Sequence, residues 1–193
     1  MTVPRYAAVL LAFGSQRGFE LIYSAKNERS IHRQQPGAPQ AARSIFKWIA
    51  LVNLGLFTLP ALERWLRRRP PPSLVAGVGW VAALAGVALR LSVLVSLRDS
   101  WNVHAVVPSN LRIVDSGPYR FIRHPNYLAL GLEFLGLPLI GGAYLSALGL
   151  GLANAALLRQ RIIEEEALLM AIPAYRERMA GKPRILPRRL TGR

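Results

Sequence analysis

The 193-residue sequence contains no cysteine. That excludes disulfides, thiolate metal sites and thiol nucleophiles. Acidic residues are scarce: 10 Asp and Glu stand against 25 Lys and Arg, for a net charge of +15. Charged residues make up 18% of the chain and hydrophobic ones 52%, an apolar share high for a water-soluble domain. A basic excess of this size raises nucleic acid as a partner. Such binding needs a basic, water-soluble face, whereas these arginines lie between long apolar runs, so no nucleic-acid partner is expected. No small-residue cleavage site follows the apolar N-terminal run, so no separate signal peptide is expected. No internal repeat is visible, and the length suits one domain over residues 1–193.

What is present is a series of apolar stretches. A bilayer core about 30 Å thick needs roughly 20 mostly apolar residues as helix. Residues 44–62, 73–97 and 143–158 fit, the last continuing into a helical tail. Residues 127–139 are short and end at Pro138 and the Gly141-Gly142 pair; they cross only if tilted or as half of a tight hairpin. Residues 3–24 carry Gln16, Arg17 and Glu20. Ionisable groups in a bilayer are costly unless they face a protein interior or polar cavity, and Arg17 and Glu20, three apart, can pair on one helix face. An interfacial helix is the alternative for this segment. The expected fold class is therefore all-α: a polytopic membrane protein with about five transmembrane helices. Most of the cations fall in residues 25–43, in residues 98–126 and after residue 158, including Arg188, Arg189 and Arg193 in the tail. The positive-inside tendency puts these in the cytoplasm, opposed locally by Arg67, Arg68 and Arg69. The basic charge then serves topology and contact with membrane lipids. The run Arg67 to Pro72 reads as a stiff charged turn, and Gly149 and Gly151 could support close helix contact.

Two polar clusters remain. In SGPYRFIRHPNY, residues 116–127, Ser116-Gly117-Pro118 is turn chemistry. Pro125 pushes His124 out of the helical region, and the next helix starts around Asn126. Arg123 and His124 thus stand at a helix mouth whose free N–H groups favour a carboxylate or phosphate. The competing reading is that Arg120 and Arg123 bind lipid phosphates while Tyr119 and Tyr127 belong to an interfacial aromatic belt. The second cluster is RQRIIEEEALL, residues 159–169. Arg161 and Glu165, four apart, share a helix face, with Glu164 beside them. A solvated helix face is the plainer reading of this run. Together, an anion-binding helix start facing a carboxylate helix suits a zwitterion that carries a carboxylate, an ammonium and ribose hydroxyls.

The two motifs, in this order and about thirty residues apart, resemble the isoprenylcysteine carboxyl methyltransferase family of integral membrane enzymes. The resemblance is strongest over residues 101–187, the expected cofactor-binding part. FELIYSAKNERSI and EFLGLPL look closer to bacterial members, some associated with O-methylation of alkylpyrones and alkylresorcinols. The resemblance implies a site on the cytoplasmic face of a bacterial inner membrane and S-adenosyl-L-methionine as cofactor, with no metal. It implies that Tyr119, His124, Pro125, Asn126 and Tyr127 line the cofactor pocket. The loop strand from Leu111 to Val114 would give backbone contacts, and His104 falls near a further cofactor position. Glu165 matches the family's cofactor-binding glutamate. Arg161 matches the catalytic arginine that holds the substrate's polar group. The implied activity is O-methylation of a lipophilic small molecule or prenylated substrate, either an isoprenylcysteine-type carboxylate or a lipidic polyketide hydroxyl. AIPAYRER departs from the family, with Pro173 in a glycine region and Arg178 in place of a tyrosine, which bears on pocket closure and substrate class.

Three other functions share parts of this pattern. An NADPH-dependent sterol-reductase-like enzyme could hold phosphates at the same helix start, but three glutamates would face an anionic cofactor. A phospholipid N-methyltransferase would gain nothing from an arginine beside an amine acceptor. A non-catalytic membrane protein would use these loops only for lipid headgroups.

Overall fold

A computed structural model describes residues 1–186; the tail cations Arg188, Arg189 and Arg193, and Pro187 at the end of the cofactor-binding part, lie outside the described residues. Among the described residues the fold is all-α, with no named strand. In chain order the helices are α1 (Val3–Gln34), α2 (Phe46–Arg67), α3 (Ser73–Leu97), α4 (Pro125–Gly141), α5 (Tyr144–Leu169) and the short α6 (Pro173–Met179). Helices α2 and α3, the latter counted through Ser100, are long and apolar enough to cross a membrane. The other three expected spans do not meet that measure alone: α1 carries Arg17 and Glu20, and α4 has 17 residues.

The first five helices run antiparallel, and contacts at each end fix their order. At the end away from the motifs, the Tyr6 hydroxyl donates to the Leu137 carbonyl at 2.9 Å, and Ser146 N donates to Glu63 at 2.7 Å. The tightest crossing joins α3 and α4. A Cβ built on Gly136 would stand 2.5 Å from the Ala83 nitrogen, and one on Gly86 2.9 Å from the Ala129 carbonyl oxygen. Only glycine lets the two backbones approach this closely. Gly149 and Gly151 do not do this within the chain, since a Cβ there meets nothing within 4 Å.

The charges inside the apolar helices find one another in the bundle interior. Arg17 reaches Glu20 at 3.1 Å and also pairs with Glu133. Arg90, 2% exposed, lies 3.1 Å from Glu133 and 3.4 Å from Glu20, and donates to Asn126 at 3.1 Å. Two cations and two carboxylates close a neutral network, the condition under which such groups survive in an apolar setting.

Two expected boundaries are corrected. Residues 25–34, beyond the expected end of the first segment at residue 24, continue α1. Ser24, Asn27 and Ile31 face inward at helical spacing; Asn27 donates to the Trp101 carbonyl at 2.8 Å, and Ser24 Oγ accepts from Val103 N at 2.8 Å. Polar residues here serve the neighbouring loop, so loss of hydrophobicity does not end the helix. The expected strand from Leu111 to Val114 has no ladder partner; the only bridge among the described residues joins Gln40 and Val106.

Candidate functional site

The end of the bundle that carries both motifs is closed by the loop between α3 and α4, by α6 and by the chain that follows it. Gly117, at φ +57, lets the chain turn into the short 3-10 segment Gly117–Arg120. His124 then caps α4 with Pro125 in its first turn, where proline's fixed φ and missing N–H cost nothing. Beyond α6 the chain returns along the motif: Arg123 N and His124 N donate to the carbonyls of Pro183 and Arg184, both at 2.9 Å. Lys182 Nζ adds a bond to the Tyr119 carbonyl at 2.8 Å.

The three consecutive glutamates point three ways, as a step of about 100° per residue on a helix requires. Glu164 accepts from Ala42 N at 2.7 Å. Glu165 accepts from the Tyr127 hydroxyl, which in turn accepts from Arg161 Nε at 2.7 Å. Arg161 also donates to the Val103 carbonyl, and its guanidinium lies 5.5 Å from the Tyr127 ring centroid. Glu166, buried, lies 3.1 Å from His124 Nε2, 3.2 Å from Arg123 and 2.7 Å from Arg184. Burial alone would raise the Glu166 carboxyl, but bonds from His124 and Arg184 and the charge of Arg123 hold it at about 2. Burial, then the nearby Glu165 charge, push the Tyr119 phenol well above its ordinary value, so it stays a neutral donor.

These residues surround a polar hollow of about 120 Å³ under the helix ends. Leu111, Val114, Tyr119, His124, Asn126, Tyr127, Arg161 and Glu165 are all in its wall. Pro125 is buried just behind, in the first turn of α4. His104 is placed apart: its Nδ1 lies 2.8 Å from both Glu28 oxygens and its ring packs tilted at 37° against Phe46, centroids 4.2 Å apart. Trp101 is 3% exposed and its Nε1 has no hydrogen-bond partner among the described residues. Its side chain lines the hollow, while the Nε1 atom itself is covered.

A second cavity, of about 370 Å³, lies between α1 and α2 on the bundle side and is lined mainly by apolar residues such as Leu21, Ile49, Leu54 and Phe57. Trp101, Asn126, Tyr127 and Arg161 line both spaces. Arg161 therefore stands in the wall where a polar hollow meets an apolar one. Glu166 was not singled out from the sequence; the three adjacent carboxylates were its only signal, and the family pattern points to the middle one. The second cavity was not foreseen either, because its walls come from five separate helices and the α3–α4 loop.

Apolar helices that enclose paired charges, with a polar hollow at one end, define a helical protein of membrane type with a small-molecule site. Residues 78–171 match the isoprenylcysteine carboxyl methyltransferase family. Over 154 residues the chain is 31% identical to the uncharacterized protein YpbQ of Bacillus subtilis, an alignment covering 80% of this chain and 90% of that one. The chain belongs to the isoprenylcysteine carboxyl methyltransferase family and is, as that membership implies, a membrane methyltransferase.

Proposed function

We propose that the chain is an S-adenosylmethionine-dependent O-methyltransferase that acts on a lipophilic acceptor at the cytoplasmic face of a bacterial inner membrane. All five long helices cross the bilayer in this reading, α1 and α4 being tolerated because Arg17, Glu20, Arg90 and Glu133 neutralise one another inside the bundle. The observation that carries it is the shared wall at Tyr127 and Arg161 between the polar hollow and the apolar cavity.

The donor set of the hollow fits the cofactor's polar groups; a site for a ligand of that size is ~300 Å³ or more, so the loop between α3 and α4 moves outward on binding to enlarge the hollow of about 120 Å³. Glu165 offers a carboxylate to an ammonium or ribose hydroxyls. Tyr119 and the peptide groups at Leu111 and Val114 offer hydrogen bonds, and the Trp101 ring offers flat apolar contact. The α4 N-terminus at Pro125 and Asn126, beside His124, favours a carboxylate. When bound, S-adenosylmethionine supplies a methyl group already activated on a sulfonium. The chain's own contribution is then alignment, worth ~7–11 kcal/mol of a barrier in well-oriented cases. Arg161 has Nε committed to Tyr127 and Nη2 to Val103, which leaves Nη1 for the acceptor oxygen. An ionised carboxylate needs only to be aimed by that charge-assisted bond; a phenolic or enolic oxygen also needs its developing negative charge stabilised, and the same cation does so. The lipid tail enters sideways between α1 and α2.

The test is thermal unfolding of the full chain in detergent with S-adenosylhomocysteine or NADPH. A ligand at a hundredfold over its Kd adds ~2.7 kcal/mol of stability. A rise of several degrees with S-adenosylhomocysteine and none with NADPH is expected; the reverse pattern overturns the cofactor assignment.

A further inference from the structure

The outer face of α4 and α5 carries a third cavity, of about 440 Å³, that the proposed reaction does not use. Its floor is small or apolar: Gly131 and Leu135 on α4, Ala147, Gly151 and Leu158 on α5. Two cations, Arg159 and Arg184, line its end nearest the polar hollow. We propose that this groove binds one anionic phospholipid of the surrounding leaflet, with its phosphate on Arg159 and Arg184 and an acyl chain along α5.

Dimensions and charge both favour that occupant. From Ala147 to Arg159 is twelve residues, or ~18 Å of helix at 1.5 Å per residue. One leaflet of a bilayer's hydrocarbon is ~15 Å deep, so the groove runs the depth of a single leaflet and ends in cations where headgroups lie. Asn154 lines the groove five residues deeper than Arg159, ~7.5 Å along the helix, and offers its amide near the level of ester carbonyls. Arg184 keeps donors to spare: Nε and Nη2 meet Glu166 at 2.8 and 2.7 Å, while the side chain is 57% exposed. A guanidinium has five N–H groups, so phosphate can bind Nη1 without displacing Glu166. The seat is coupled to the hollow. The Arg184 carbonyl accepts from His124 N and its side chain holds Glu166, and Tyr127 is in the wall of both spaces. A lipid held there braces the chain segment that closes the hollow.

The test uses delipidated full-length protein in detergent, titrated with phosphatidylglycerol, phosphatidylcholine or inorganic phosphate and followed by thermal unfolding and by native mass spectrometry of retained lipid. Phosphatidylglycerol is expected to raise Tm and to be retained at one molecule per chain, with phosphatidylcholine much weaker. Each arginine near an anionic headgroup is worth about fivefold in affinity, so Arg159→Gln should weaken the phosphatidylglycerol response about fivefold. Gly151→Phe, which fills the floor, should abolish it. Arg159 is exposed and Gly151 has open space about its Cβ position, so neither change disturbs the core. Equal responses to the two lipids, a phosphatidylglycerol response untouched by both variants, or the same shift from inorganic phosphate alone overturns the proposal. So does a change of oligomeric state by Gly151→Phe without loss of lipid, which would make the groove a contact between copies. None of these readouts requires methyl transfer, so failure here is distinct from failure of the proposed activity.

Discussion

Replacing Glu166 by Gln keeps the side chain's size and removes the charge that Arg123, His124 and Arg184 surround. The carboxyl stands at about 2 against an ordinary 4.5. At ~1.36 kcal/mol per pH unit that is roughly 3 kcal/mol. The Arg184 side chain is 57% exposed, so its share is screened by water, and about 2 kcal/mol is the better figure for holding the Arg123-His124 turn and the returning Arg184 together around Glu166. That corresponds to about 30-fold in a local opening equilibrium. The assay is hydrogen exchange at the Arg123 and His124 amides, which donate to the Pro183 and Arg184 carbonyls. Glu166→Gln should lower their protection about 30-fold while leaving the α3–α4 crossing unchanged. The folded-state value is depressed, so the stabilisation is present above pH ~4.5 and is lost as pH falls toward 2. Wild-type protection, corrected for intrinsic exchange, should decline through that window, and that of Glu166→Gln should not. Protection within about threefold of wild type in the variant would refute the clamp.

Other consequences are as direct. Gly18→Leu adds bulk to the wall of the apolar cavity where a Cβ meets nothing within 4 Å. It should raise KM for a lipidic acceptor about tenfold, ~1.4 kcal/mol, with S-adenosylhomocysteine affinity unchanged by calorimetry. Gly136→Ala forces a methyl group to 2.5 Å from the Ala83 nitrogen and should cost about 1–3 kcal/mol, read as a lower Tm in detergent.

The sequence is most legible where one physical signal acts alone. The α3 span, residues 73–97, is bounded by the proline run and by charge at Arg98, and the helix keeps those limits. α2 runs from Phe46 to Arg67 rather than over residues 44–62, passing Pro60 without breaking; the expected span stops where charge begins at Glu63, whose partner Ser146 lies on another helix. Long-range partners were hidden for the same reason. Arg17 was matched to Glu20 by spacing, but Glu133, 116 positions away, shares the same guanidinium. A signal was available: Arg90 and Glu133 are opposite charges stranded in apolar runs, and each requires a partner. At the site, helical spacing put Arg161 and Glu165 on one face, and Tyr127 is the hydroxyl that joins them. Spacing could not assign three adjacent carboxylates, because their partners lie on α4, in the α1–α2 loop and beyond α6.

The central claim is that Arg161, between the two cavities, aims an acceptor oxygen at a methyl donor held beside Glu165. Transfer of labelled methyl from S-adenosylmethionine to a panel of lipidic acids and phenols, by wild type and Arg161→Ala, tests it most directly. The account predicts label in an organic-extractable product from wild type, and a loss of about 10²–10³-fold in the variant, whose S-adenosylhomocysteine affinity stays within about fivefold. No labelled lipid from any acceptor, or cofactor affinity falling as far as turnover, would contradict it.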